Sequence, residues 1–178
     1  MTRQTVIAYW LIPAEPGRLF QRIINDLARR HDAPVFEPHV TIHVGADHAD
    51  ASENALRDAA NQCRHVGLTP LGVDQSDEFV KTLFVQFAMT VELRQINHII
   101  RKATKDSSHY ELKPHLSLLY KKTEAAVRRE LAASIKVPFS KVTFNSIKAV
   151  RCVSPTRSRA DVEAWHVIAA ASLSDDRV

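Results

Sequence analysis

The order in which hydrophobic periods follow one another restricts the architecture of this chain more than any other feature. Residues 4–12, QTVIAYWLI, are rich in β-branched and aromatic residues and stop at Pro13, which predicts a strand. From Pro16 to Arg30, Leu19, Phe20, Ile23, Ile24 and Leu27 recur at helical spacing. Pro16 falls near the first turn, where its missing N–H costs nothing. The same reading gives a strand at 39–44, a helix at 50–64 and strands near 67–74 and 78–89. A helix capped by Thr90 then runs to about 104, followed by a strand at 115–120 and a helix at 123–134. Three strands near 138–144, 146–153 and 162–172 close the chain. The order β-α-β-α-β-β-α-β-α-β-β-β lacks the alternation of parallel βαβ units. It predicts an α+β fold with mainly antiparallel sheets and helices on the outer faces. There are only four glycines and no linker rich in Gly, Ser or Pro, so residues 1–178 read as one domain.

Two of the predicted strands open with the same phrase. Residues 37–45 read EPHVTIHVG and residues 113–120 read KPHLSLLY, with the histidines 76 positions apart. Pro38 and Pro114 lack a ladder N–H, which suits the first position of a strand. Side chains two apart on a strand share a face, so His39 lies beside Thr41 and His115 beside Ser117. Val40, Ile42, Leu116 and Leu118 face the opposite side, towards a core beneath helices. Each phrase therefore sets one imidazole and one hydroxyl side by side. A single such pair is ordinarily structural; two matching pairs suggest one site facing both. Histidine changes protonation near neutral pH, so one imidazole could take a proton from water while the other gives one to a leaving oxygen. The two hydroxyls could hold the non-bridging oxygens of a phosphate. The set suits a strained cyclic phosphodiester, whose leaving sugar hydroxyl must be protonated, and it needs neither metal nor cofactor.

Other signals point to no competing chemistry. His39 and His43 have the spacing of a metal pair, but in a regular strand they stand about 13 Å apart, too far for one ion. His43 is expected as a hydrogen-bonded side chain at the cleft margin. His31, His48, His65, His98 and His109 are expected at the surface, and His166 in a structural role. Cys63 and Cys152 form neither a metal motif nor a disulfide framework, which suits a reducing, cytoplasmic location. No G-x-S-x-G, Walker or Rossmann pattern occurs. The formal charge is +4, and its basic residues are scattered in small groups such as Lys121-Lys122 and Arg128-Arg129. That balance favours an anionic ligand without the dense stripe of a duplex-tracking protein. No apolar run is long enough for a membrane span, and the N-terminus reads as a strand rather than a signal peptide. A monomer is expected, since no heptad or long apolar stripe is evident.

The two motifs, HVTI at His39–Ile42 and HLSL at His115–Leu118, resemble those of the 2H phosphoesterase superfamily, whose mark is a pair of H-x-[TS]-x sequences. The likeness is greatest to its cyclic phosphodiesterase branch, with YWLIP, FEPHVTI, KPHLSLLY and AWHVIAA in the family's order across nearly the whole chain. The resemblance implies a bilobal catalytic domain, two antiparallel sheets lining a central cleft with helices outside. It implies metal-independent opening of ADP-ribose 1″,2″-cyclic phosphate, or of nucleoside 2′,3′-cyclic phosphates to 2′-phosphates. Carried over, His39 and His115 are the acid–base pair and Thr41 and Ser117 hold the phosphate. His115 would activate water and His39 protonate the leaving oxygen, although the near-symmetry of the motifs leaves the reverse open. Tyr120 corresponds to a cleft tyrosine, but strict alternation puts it on the opposite face from Ser117 unless the strand twists or ends there. Trp10 and Phe79 fall where cleft aromatics are expected and could contact a base. Two rivals predict different behaviour. RNA ends with 2′,3′-cyclic phosphates or 2′,5′ linkages would need a longer basic groove. A non-catalytic nucleotide- or RNA-binding module would show no turnover.

Overall fold

The structure is a computed structural model and describes residues 3–108 and 110–174; His109 lies outside the described residues. Among the described residues, eight strands and five α-helices form an α+β fold. The strands are β1 (Gln4–Pro13), β2 (Val40–Ala46), β3 (Val66–Leu68), β4 (Pro70–Gln75), β5 (Leu83–Phe87), β6 (His115–Leu119), β7 (Val142–Ser154) and β8 (His166–Ser172). The helices are α1 (Gly17–His31), α2 (Ala49–Gln62), α3 (Val91–Thr104), α4 (Ala125–Ser134) and α5 (Arg159–Glu163). These strands all pair antiparallel, in the order β3-β7-β1-β2-β6-β5-β4, with β8 also on β7.

The expected two sheets are thus one sheet with a narrow seam. The β2 and β6 strands meet only at Val40 and Leu116. On one side lie β1, β2, β3, β7 and β8; on the other, β4, β5 and β6. The helices cross this seam. Helix α1, which follows β1, packs against β6, whereas α3, which follows β5, packs against β2. Phe20, Ile24 and Leu27 form the buried stripe of α1, and Leu93, Ile96, Ile99 and Ile100 that of α3. Both stripes join one continuous apolar core, so each strand group is covered partly by a helix from the other half of the chain. Thr90 caps α3 as expected, its hydroxyl accepting the Leu93 N–H at 3.2 Å.

Several predicted boundaries shift. The segment 67–74 divides at Thr69, because Val66–Leu68 pairs with β7 while Pro70–Gln75 pairs with β5. A 3-10 turn at Phe79–Lys81 precedes β5, so 78–89 is not all strand. The two strands expected at 138–144 and 146–153 are one, since β1 pairs with β7 along its whole length and overrides the polar Asn145-Ser146 step. Residues 162–163, expected to open the last strand, instead end helix α5, whose start is fixed by a reciprocal capping box of Ser158 and Asp161.

Both halves carry the same irregularity. Tyr9 faces His43 and Trp10 faces Thr41, leaving Ile42 as the extra residue of a bulge. Leu83 faces Leu119 and Phe84 faces Ser117, leaving Leu118 extra. A bulge reverses the side to which all later residues point. It therefore sends His43 and Leu119 into the core and returns Val44 and Tyr120 to the open face.

Candidate active site

The seam is where the two phrases meet. Antiparallel geometry around Val40 and Leu116 sets Thr41 across from His115 and His39 across from Ser117. The aliphatic pair points into the core, fully buried. Histidines on such a diagonal have side chains starting ~7–8 Å apart, enough for one phosphate between them. His39, Thr41 and His115 line one cleft of about 290 Å³, together with Trp10, Tyr110, Tyr120 and Trp165.

Each imidazole is held in the same way. His39 Nδ1 lies 2.6 Å from the Glu37 carbonyl, and His115 Nδ1 lies 2.7 Å from the Lys113 carbonyl. A carbonyl only accepts, so Nδ1 carries the hydrogen in both rings and Nε2 is the unprotonated nitrogen of the neutral form. The tether spans two residues because His follows Pro, whose fixed φ holds the preceding carbonyl back beside the ring. Glu37 is itself fixed: its carboxylate accepts both contacts from Lys148 Nζ, at 2.6 and 2.7 Å.

The surroundings of the two histidines differ. His39 is 5 % exposed, its ring stacked on Trp10 with centroids 3.8 Å apart and edge-on to Trp165 and Phe36. This burial lowers its pKa to about 4, against the opposing pull of the Glu37 carbonyl and with help from the nearby His115 and Lys148 charges. His115 is only half-buried and meets the edge of Phe84, over whose ring the Lys81 ammonium sits. Burial and Lys81 lower its pKa too, opposed by the Lys113 carbonyl and Glu78.

The hydroxyls are also unequal. Thr41 faces the cleft, whereas Ser117 is buried and donates to the Val80 carbonyl at 2.8 Å. Burial pushes the Tyr120 phenol well above its ordinary value. Tyr120 reaches the cleft through the bulge and the end of β6 at Leu119. Trp10 lines the cleft, but His39 covers a face of its indole, leaving that face closed to a base. Phe79 packs behind Tyr120, with centroids 6.1 Å apart. His43 is not at the cleft margin: the bulge turns it inward, where it is fully buried and bonds Asp106 Oδ2 through Nε2 at 2.5 Å.

Sequence reasoning missed Glu37, Lys148, Tyr110, Trp165 and Asp106. Tyr110 leans on the cleft with its hydroxyl donating to the Thr41 carbonyl at 3.2 Å. Glu37 and Trp165 carried a signal, within FEPHVTI and AWHVIAA; Lys148, Tyr110 and Asp106 act through contacts between distant segments.

Comparison with known proteins shows the family and the fold. Residues 5–173 match the family described as cyclic phosphodiesterase-like protein. This chain belongs to that family. It is thereby a member of the 2H phosphoesterase superfamily. A cyclic phosphodiesterase of Arabidopsis thaliana is 23% identical over 177 residues, covering 97% of each chain. Among solved structures, E. coli LigT complexed with 3′-AMP has a TM-score of 0.61 at 14% identity, over 97% of this chain and 99% of that one. TT0787 of Thermus thermophilus has a TM-score of 0.57 at 14% identity, over 97% and 100%. These structures share the fold with this cyclic phosphodiesterase-like protein.

Proposed function

We propose that this protein hydrolyses a nucleotide cyclic phosphodiester by two-histidine acid–base catalysis. The observation carrying the reading is the matched tether: both Nδ1 atoms are spent on backbone carbonyls, and both rings line one cleft. A neutral imidazole takes a proton from water through Nε2 as the water oxygen bonds to phosphorus. The protonated imidazole gives its Nε2 proton to the sugar oxygen as the ring P–O bond breaks. Thr41, and Ser117 once it gives up Val80, donate to the non-bridging oxygens. The product is a phosphate monoester, and the two histidines exchange protonation states. Every proton is accounted for without a metal. ADP-ribose 1″,2″-cyclic phosphate would yield the 1″-phosphate and nucleoside 2′,3′-cyclic phosphates the 2′-phosphate. The Arabidopsis relative, named a cyclic phosphodiesterase, supports this class.

Burial bears on the division of labour. His39, with its pKa near 4, starts neutral in the free protein. That favours His39 as base and the more open His115 as acid, the reverse of the order carried over from the sequence resemblance.

The test is turnover of cyclic phosphates in EDTA by the parent, His39→Ala and His115→Ala. Loss of roughly 10²–10⁴-fold in each variant is expected. Activity persisting in both variants would sink the mechanism, and a folded parent inactive on every substrate would favour a binding module. A nucleotide 4-nitrophenyl phosphodiester separates the roles. Its leaving group needs no proton, so the variant lacking the acid should recover on it and the variant lacking the base should not.

A further inference from the structure

We infer that the cleft is shaped for a mononucleoside cyclic phosphate and discriminates against substrates that bring a second phosphate into it; this rests on the two-histidine reading above. The cleft has two chemically different ends. The histidines and Thr41 form the inner end, where the single reacting phosphate sits. From there the floor runs outward along β1, where Trp10, Ala8 and Val6 project at alternate residues. Val44 of β2 lies opposite Ala8, and Cys152 of β7 lies opposite Val6. Trp10 to Val6 spans ~13 Å of strand, room for one sugar and one base beyond the phosphate. These outer floor residues are small and apolar, a surface on which a flat ring can lie. Ser154 and Thr156 at the outer rim add neutral polar groups that can meet the edge of a base.

The charge pattern is the decisive feature. Among the described residues that line the cleft, none is Lys, Arg, Asp or Glu. Three of the cations outside this lining have partners of their own. Lys148 holds both oxygens of Glu37, Arg151 holds both oxygens of Asp47, and Lys81 lies over Phe84. A phosphate drawn across the floor would lose hydration and meet no charged residue of that lining. ADP-ribose 1″,2″-cyclic phosphate has a pyrophosphate between its reacting ribose and its adenosine. To lay its adenine on the floor it must carry two anionic groups over Ala8 and Val44. An RNA end can leave its next phosphate in solvent, but it then gains nothing from its length. The cavity volume, about 290 Å³, also sits at the small end of the ~300–1,000 Å³ usual for ligand sites.

The experiment compares kcat/KM for the four nucleoside 2′,3′-cyclic phosphates, ADP-ribose 1″,2″-cyclic phosphate and a dinucleotide ending in a 2′,3′-cyclic phosphate. Inhibition by the products, nucleoside 2′-phosphates and ADP-ribose 1″-phosphate, is measured beside it and reads the same preference through binding. At least one mononucleoside substrate should exceed the ADP-ribose compound by about tenfold or more, and its product should bind correspondingly tighter. The dinucleotide should be no better than its mononucleotide, with little dependence on salt. Thr156→Lys, which brings a cation to the rim, should narrow the gap for the ADP-ribose compound. Equal or better use of that compound by the parent overturns the inference and leaves the two-histidine reading standing. So does a tenfold gain for the dinucleotide with a steep salt dependence. Neither turnover nor binding of any product would overturn the two-histidine reading, and this inference with it.

Discussion

Replacing Asp106 with Ala should cost about 3 kcal/mol of folding stability, and the number follows from what the carboxylate holds. It accepts His43 Nε2 at 2.5 Å, the Ser108 hydroxyl at 2.6 Å and the Ser108 N–H at 3.1 Å. Hydrogen bonds to a charged group contribute ~1.5–3 kcal/mol, and orphaning a buried donor costs a further ~1–3 kcal/mol. His43 is the costly partner, because it is fully buried and its Nδ1 already lacks a hydrogen-bond partner among the described residues. Ser108 is only half-buried and recovers water, so a value near the lower end of the combined ~2.5–6 kcal/mol applies. For a chain of this size the loss corresponds to a Tm lower by roughly 6–12 °C. Urea unfolding should show a lower midpoint at unchanged slope. A loss below about 1 kcal/mol would refute the reasoning. Gly45 supplies an internal control. A Cβ at Gly45 would stand 2.8 Å from Asp106 Oδ2 and 3.2 Å from His43 Nε2. Gly45→Ala should therefore cost ~1–3 kcal/mol in the parent and distinctly less beside Asp106→Ala. Additive losses would mean that the carboxylate does not occupy the space beside Gly45.

Three further outcomes are expected. The His39 pKa is depressed in the folded protein, so its stabilising contribution is complete above the unfolded value near 6.5 and is lost as pH falls towards 4. Roughly 3 kcal/mol should disappear over that window, measured by unfolding at several pH values, while the His39 ring stays neutral by NMR until about pH 4. Thr41→Ala should lower kcat/KM by ~10²-fold, and Ser117→Ala by less because its proton is already given to Val80; a larger loss in Ser117→Ala would refute this order. Trp10→Leu should raise the His39 pKa by opening the stacked face, shifting the acid limb of the pH–rate profile upward, while Trp10→Phe should largely preserve it. An unmoved limb in Trp10→Leu would leave Trp10 without a part in tuning His39.

The sequence makes the inner end of the site legible because proline, histidine and hydroxyl residues act within four consecutive positions. Strand alternation is enough to place His39 beside Thr41 and His115 beside Ser117. The same rule fails one residue later. Nothing local in HVTIHVG or HLSLLY announces a bulge at Ile42 or Leu118, yet each bulge decides whether the next side chain meets the core or the cleft. His43 and Tyr120 are therefore misplaced by simple alternation. Lys148 and Tyr110 are further from view, since the one contacts Glu37 and the other Thr41 across 111 and 69 residues. Helix stripes such as Phe20, Ile24 and Leu27 are plain in the sequence, but which sheet they cover is not. That depends on the exchange of α1 and α3 across the seam.

This exchange makes the reach between the two imidazoles of the cleft a packing variable. One backbone pairing, Val40 with Leu116, joins the strands that carry them, while α1 and α3 brace the halves from opposite sides. Side-chain volume at Phe20 or Ile100, fully buried in those helices, thus acts on the gap between His39 and His115 without touching either ring. Substitutions there can widen or narrow the jaws, so the proposed reaction can be tuned from the back of the molecule, away from the cleft.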